Sequence, residues 1–379
     1  MGESSLKIGI AHIAGGLTTG GVEAVIYNYF LHMPRDKYQL IYISYDKPDE
    51  KVKRKFENLG FIVFEVEKKK KNFVKSCWQV FQIFRKYNVK IVHSHMTLMS
   101  FVTSYIGRLA GIKIRIAHAH LAQKPKGIKR FAYAVFKMLT KLSSNYYFAC
   151  GQDAAEYLYG KRFVLKKSIY YMKNAVSLSK YKYSKEKREA IRSQMGIGDN
   201  YLLGNVGRFT EQKNHIFLIQ IFKEVKKKIP SAKLVLIGDG PLRVKVNQLV
   251  KEMKLESDVI FVGSIHNVED YYSAMDLFVL PSLYEGLSVA LVEAQTSGVA
   301  ILSSDTVTKE IMILDNYFQV SLSSNTQIWA DKIVQINADN LSRVDSLNQI
   351  REAGYDIIKE AEKLDLFYER CVKMNQKGT

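Results

Sequence analysis

The sequence predicts an α/β chain of two doubly wound parallel sheets. Short β-rich runs alternate with amphipathic stretches, as sheets with crossover helices require. The length of 379 residues suits two domains. Glycine-rich, histidine-bearing or charged turns follow many of the strand runs, where such sheets bind ligands.

In the first half, the strand expectations are Lys7–Ile13, Gln39–Ser44, Ile62–Val66, Lys90–His93, Ile114–His118, Tyr146–Ala149 and Ile169–Met172. Between them, apolar residues at helical spacing predict helices such as Val22–His32, Val74–Tyr87 and Leu98–Ala110. A second set of strands follows: Tyr201–Val206, Lys233–Ile237, Val259–Val262, Leu277–Leu280 and Ala300–Ser303. Helices over His215–Ile229 and Leu242–Lys254 separate them. The boundary falls near Asn174–Val176, giving domains over 1–175 and 176–352. Residues 353–379 read as a terminal helix, with Ile357, Ile358, Ala361, Leu364, Phe367, Tyr368 and Cys371 as its apolar positions.

Composition bounds the function. No run approaches 18 consecutive apolar residues, and Met1–Leu6 lacks the basic and apolar regions of a signal peptide. Leu6 stands where a myristoylation signal wants Ser or Thr. Three distant cysteines, Cys77, Cys150 and Cys371, read as reduced and structural, so the expected location is cytoplasmic. The net charge of +19 is uneven: residues 1–200 carry +22 and residues 201–379 carry −3. A basic first half points to an anionic partner, whether membrane surface, pyrophosphate-bearing lipid or nucleic acid. From Lys124 to Leu142, Lys124, Lys126, Lys129, Arg130, Lys137 and Lys141 interleave with Phe131, Tyr133, Val135, Phe136, Met138 and Leu139. That pattern fits a helix lying on anionic lipid, or a core helix with a solvated lysine face. The run Lys68–Lys71 reads as a solvated loop, with lipid contact the lesser reading.

Pro281–Ala294 is the most informative stretch. A strand runs into a turn and then a helix, with Glu285 and Glu293 eight residues apart. Eight residues are two turns plus roughly 80°, so Glu285 is expected at the helix mouth and Glu293 two turns deeper. The mouth is a natural phosphate seat. The bland alternative is a strand-turn-helix whose first Glu favours the dipole and whose second is solvated.

Gly204–Asn214 ends a strand in Gly207-Arg208 and delivers Lys213 five residues later, two cations able to clamp a diphosphate. Gly15–Glu23 is a glycine turn between strand and helix; it is not G-x-G-x-x-G, so a nicotinamide site is a poor reading. His93-Ser94-His95 and His118-Ala119-His120 end consecutive strands, and the two imidazoles of each pair share a face. Four could converge on a metal; no cluster of acids or cysteines accompanies them. Gly238–Pro241 and Val262–His266 are further strand-end turns, individually weak.

Taken together, these motifs resemble the retaining GT-B glycosyltransferases of family 4, a group with many bacterial capsule and exopolysaccharide enzymes. The likeness runs from Gly20 to Glu310 and is strongest in Gly207–Asn214, similar to that family's G-R-x(4)-K-N, and in Pro281–Glu293, similar to its E-x7-E. It implies two Rossmann-like domains facing across a cleft, with the C-terminal helix crossing back to the N-terminal domain. Arg208 and Lys213 would clamp the diphosphate, Glu285 would hold donor-sugar hydroxyls, and Glu293 the ribose. The amides of Gly286, Leu287 and Ser288 would meet sugar or phosphate. Gly20 and Gly21 would approach the donor, Gly238 would lie near the nucleotide, and Ile265 would read the base. His120 is the better match to the family's active-site histidine, with His118 second; His95 would line the acceptor side. Ser288 stands where the family often has glycine, which leaves the donor sugar open.

The resemblance implies a sugar donor, UDP-linked by expectation, a lipid-linked saccharide acceptor and no metal or other cofactor. The basic N-terminal half would sit on the inner membrane face. The alternatives are a sugar-nucleotide epimerase of the same fold, a basic nucleic-acid-binding protein, which lacks a recognised motif, and a metal hydrolase built on the histidine pairs.

Overall fold

The computed structural model describes residues 7–18, 20–120, 129–339 and 343–376, with the side chains of Lys129 and Arg130 outside the description. The expectations for Met1–Leu6, Lys124 and Lys126 therefore lie outside the described residues. Two compact units emerge: Met1–Ala175 with Ile357–Thr379, and Val176–Asp356.

The first unit holds β1 (Ile8–Ala14), β2 (Tyr38–Ser44), β3 (Phe61–Glu65), β4 (Val89–Ser94), β5 (Ile114–Ala119), β6 (Tyr146–Ala149) and β7 (Tyr170–Tyr171). They pair in parallel in the order β3-β2-β1-β4-β5-β6-β7. The order reverses between β1 and β4, so the crevice beyond their carboxyl ends is the switch point where such sheets bind ligands. Both central strands are largely buried, with Ala11, Ile13, Ile91 and Val92 at zero exposure, although β4 carries an exposed Lys90 and each strand buries a histidine.

The second unit holds β8 (Leu202–Val206), β9 (Lys233–Ile237), β10 (Val259–Gly263), β11 (Leu277–Leu280), β12 (Ala300–Ser304) and β13 (Tyr317–Val320). Its parallel order is β10-β9-β8-β11-β12-β13, with the switch point between β8 and β11. These two strands pair only at Leu277/Leu203 and Phe278/Gly204. Beyond that, Asn205 Nδ2 donates to the Val279 carbonyl at 2.7 Å, a side-chain tie across strands that have begun to splay. The core beneath is formed by Leu218, Phe222, Leu234, Leu236, Val279 and Trp329.

The terminal helix expected from residue 353 onward starts later. Gly354, at φ 80°, ends the preceding helix Leu347–Glu352, a left-handed stop that glycine adopts without a Cβ penalty. Tyr355 and Asp356 then run beside Val176, whose N–H donates to the Tyr355 carbonyl at 2.9 Å. The long helix is Ile357–Gln376. It buries Ile357, Ala361, Leu364, Tyr368 and Cys371 at helical spacing in the first unit, where Lys37 Nζ reaches Asp365 at 2.9 Å.

One surface expectation is corrected, and of two alternatives for another the solvated lysine face is not what the structure has among the described residues. Lys68–Lys71 is not wholly solvated: Lys68 pairs with Asp46 in the open, but Lys69 Nζ lies 4.1 Å from the Tyr45 ring centroid and is buried. In the helix Lys129–Ser143 the outward stripe is apolar: Phe131, Met138 and Leu142 are exposed. Phe136 turns inward to stack on Phe101, Lys137 Nζ sits 3.9 Å over Tyr157, and Lys141 donates to the Tyr159 carbonyl.

Candidate functional site

Candidate site residues gather at the switch point of each sheet. In the second unit, β8 ends at Val206 and the chain turns sharply through Gly207-Arg208. Gly238, after β9, comes so close that a Cβ there would lie 2.2 Å from the Gly207 carbonyl oxygen, and its φ is +130°. Only glycine fits. Asn214, in the left-handed region at φ 55°, redirects the chain into the helix His215–Lys228 and donates to the Pro281 carbonyl at 3.1 Å. Gln212 ties the same two loops: its carbonyl accepts from Leu283 N–H and its amide donates to the Tyr284 carbonyl.

That stitching brings Lys213 against Glu285. Lys213 Nζ is 2.7 Å from Glu285 Oε1, with side chains 15% and 6% exposed. Arg208 is exposed and makes no ion pair among the described residues. The site thus offers an unpaired guanidinium on the turn after β8 and a buried ammonium–carboxylate pair, all on the carboxyl side of β8 and β11.

The helix after β11 begins later than its carboxylates imply. It spans Val289–Thr296 with Ser288 as an extended N-cap, so Glu285 lies in the loop Pro281–Leu287 rather than at the mouth. Gly286 interrupts the helical pattern, and Ser288 is 8% exposed with no side-chain cap bond. Glu293, the fifth helical residue, is not simply solvated: its Oε2 accepts from Tyr272 Oη at 2.9 Å, and Tyr181 also hydrogen-bonds to it. Burial raises its pKa, which those phenols oppose. Ile265 lies in the loop after β10, half-buried.

In the first unit, the turn after β1 leads into the helix Gly21–His32 with Gly20 as N-cap. The Glu23 carboxylate folds back over Gly20, and a Cβ on Gly21 would meet nothing within 4 Å. The two histidine pairs are adjacent in space, and His12 of β1 joins them. His12 Nδ1 is 3.0 Å from His95 Nε2, and His95 Nδ1 is 2.9 Å from His120 Nε2. His93 Nε2 is 3.0 Å from His118 Nδ1, and His93 Nδ1 is 2.7 Å from Tyr368 Oη. Burial pushes His120 down to about 4 and His12 to about 3, and holds His93, His95 and His118 well below the usual histidine range. All five imidazoles are uncharged at neutral pH.

The sequence reading missed His12, Tyr368, Tyr272 and Tyr181. The signal for His12 was register: it lies directly opposite His93 in the β1/β4 ladder.

Comparison with known proteins agrees with this architecture. Residues 19–180 match the family described as Glycosyltransferase Family 4, and residues 187–356 match Glycosyl transferases group 1. The Bacillus subtilis protein EpsF, named as a glycosyltransferase, is 28% identical over 357 residues, 92% of each chain. An Escherichia coli relative, named UDP-Gal:alpha-D-GlcNAc-diphosphoundecaprenol alpha-1,3-galactosyltransferase, is 23% identical over 391 residues, covering 97% of this chain and 98% of its own. Among solved structures, the Anabaena protein HepE in complex with UDP superposes with a TM-score of 0.78 at 17% identity, over 96% of this chain and 100% of that one. Fold, family matches and relatives give one assignment: the chain belongs to the family 4 (group 1) glycosyltransferases and has the GT-B fold.

Proposed function

We propose that this transferase moves a hexose or N-acetylhexosamine from a UDP-linked donor to a lipid-linked saccharide, with retention of configuration, in capsule or exopolysaccharide assembly. The observation that carries the reading is that the β8/β11 switch point gathers the buried Lys213–Glu285 pair and, on the turn that ends β8, the exposed and unpaired Arg208. A diphosphate there takes a bidentate guanidinium and a second cation, and Glu285 is left to accept from sugar hydroxyls. Gly286, Leu287 and Ser288 supply backbone amides, Gly20, Gly21 and Gly238 allow close approach, and Ile265 and Glu293 take base and ribose. His120 is assigned to the donor sugar.

The names of relatives support the substrate class. The E. coli relative's name specifies a UDP-galactose donor and a diphosphoundecaprenol-linked acceptor, and HepE was solved with UDP-glucose. A Staphylococcus aureus relative is named for capsular polysaccharide biosynthesis.

In this mechanism the acceptor hydroxyl attacks the anomeric carbon on the face the diphosphate leaves. The C–O bond to the diphosphate breaks as the glycosidic bond forms. The hydroxyl proton passes to a leaving phosphate oxygen, while Arg208 and Lys213 stabilise the departing charge. No metal takes part in these steps.

The first unit is proposed to sit on an anionic membrane surface. Its outward stripe of Phe131, Met138 and Leu142 offers apolar contact within a strongly basic half. Among the described residues no helix is long and apolar enough to cross a membrane.

The test is thermal stabilisation by nucleotide sugars, followed by UDP release with and without a lipid-linked acceptor and by NMR assignment of the product anomer. UDP-sugar stabilisation, acceptor-dependent release and a retained anomer are expected. Release without acceptor would favour the epimerase. Retention on DNA but not on anionic liposomes at matched salt would reject the membrane assignment.

A further inference from the structure

We propose that His95, His118 and His120 form a binding site for a transition-metal dication of the zinc class. The site goes beyond the transfer reading; it shares His120 with the donor-sugar assignment, and its test does not depend on that assignment.

One ring nitrogen from each of these residues lies within 4.8 Å of the other two. The donors are three imidazoles without a carboxylate, a set that suits zinc-class ions rather than magnesium or calcium. Three histidines leave a fourth position for water or a small anion. His118 is fully buried, yet its Nε2 has no hydrogen-bond partner among the described residues. A buried nitrogen without a partner is costly, and metal ligation removes that cost. His120 is the half-buried member of the three.

The hydrogen-bond pattern then fixes the tautomers. With Nε2 of His118 on the metal, its proton sits on Nδ1 and is donated to His93 Nε2 at 3.0 Å. His93 in turn donates from Nδ1 to Tyr368 Oη at 2.7 Å. His95 binds through Nδ1, and its Nε2–H is donated to His12 Nδ1 at 3.0 Å. His120 binds through Nε2. Two of the three ligands thus have their remote N–H groups held by further histidines, the arrangement that orients metal-binding imidazoles. No proton leaves the cluster: with His95 protonated at Nε2, the proton between His95 Nδ1 and His120 Nε2, 2.9 Å apart, belongs to His120, moves to His120 Nδ1, and the ion takes its place. Metal–nitrogen bonds of about 2.0–2.1 Å in a tetrahedron need these atoms roughly 3.3–3.4 Å apart, a small opening.

The test uses tag-free, full-length protein stripped with chelator and then titrated with Zn²⁺ against a chromophoric competitor, and separately with Co²⁺. One Zn²⁺ per chain and the intense visible bands of tetrahedral Co²⁺ are expected. His118→Gln and His120→Gln are expected to weaken Zn²⁺ binding by more than roughly 100-fold, beyond what loss of an outer-shell partner costs. His32→Gln, outside the cluster, is expected to leave it unchanged. Far-UV circular dichroism checks that each variant is folded. Failure of the wild-type chain to take up Zn²⁺ overturns the proposal. So does undiminished binding in a folded His118→Gln variant, or loss on His12→Gln without loss on His118→Gln. UDP-sugar stabilisation of the metal-free chain reports on the transferase reading separately.

Discussion

Lys213 Nζ sits 2.7 Å from Glu285 Oε1 in a pair that is nearly out of solvent. Each residue has been assigned its own contact with the donor, and in the structure each holds the other's charge. Removing one partner strands the other. Glu285→Ala is therefore expected to destabilise the chain by ~3 kcal/mol, and Lys213→Ala by a similar amount. Replacing both with apolar residues of similar volume, Lys213→Met with Glu285→Leu, should recover most of that loss. Urea unfolding of the four proteins measures the coupling. Additive losses would show that the pair is not an ion pair in solution.

Arg208 behaves differently because it holds nothing together. It is exposed and outside every ion pair among the described residues. Arg208→Ala should leave the melting temperature unchanged and lower kcat by roughly 10²–10³, the loss typical of one electrostatic donor at a developing charge. Arg208→Lys should recover only part, since an ammonium lacks the bidentate fork. A fall in kcat/KM carried by KM alone would assign Arg208 to ground-state binding instead.

Gly238 and Gly21 separate structural from ligand-facing glycines. Gly238→Ala puts a Cβ 2.2 Å from the Gly207 carbonyl oxygen at a positive φ, and is expected to cost at least ~2 kcal/mol. Gly21 opens a helix and has open space around its Cβ position. Gly21→Ala should raise stability by up to ~1 kcal/mol through helix propensity. If the donor approaches Gly21, that same variant will raise the donor KM. An unchanged KM removes Gly21 from the site.

Much of this is legible in the amino-acid sequence, and the exceptions have physical causes. Strands β9 and β11 read cleanly because they are short, and buried and apolar throughout apart from Lys233 at the start of β9. β13 did not: Tyr317–Val320 is a four-residue edge strand that includes a polar Gln319. The Arg208–Lys213 turn was legible as a spacing. That Lys213 would face Glu285 was not, because Gln212 and Asn214 create the contact through loop-to-loop hydrogen bonds. His12 was hidden as one histidine in an apolar strand until register set it opposite His93. The outward face of Lys129–Ser143 was undecidable from spacing, since apolar residues occur on more than one side. Stacking of Phe136 on Phe101 decides it.

Lys69 makes a pH prediction of definite sign. Its ammonium has no hydrogen-bond partner among the described residues and lies 4.1 Å from the Tyr45 ring centroid. Burial lowers its pKa from 10.5 to about 8. Below pH 8 the folded and unfolded chains both carry the proton, and the folded chain bears the full cost of burying the charge. Between about 8 and 10.5 the unfolded chain binds more protons, so this group makes stability rise with pH. Above that window both forms are neutral and the cost is gone. The rise should approach ~3 kcal/mol, reduced by the attraction of the ring for the cation. Lys69→Met removes the titrating group, so the stability difference between variant and wild type should shrink from pH 8 to pH 10. Because other groups titrate equally in both proteins, urea midpoints at matched pH isolate the effect. A difference that stays flat across the window would mean that Lys69 is solvated like its neighbours.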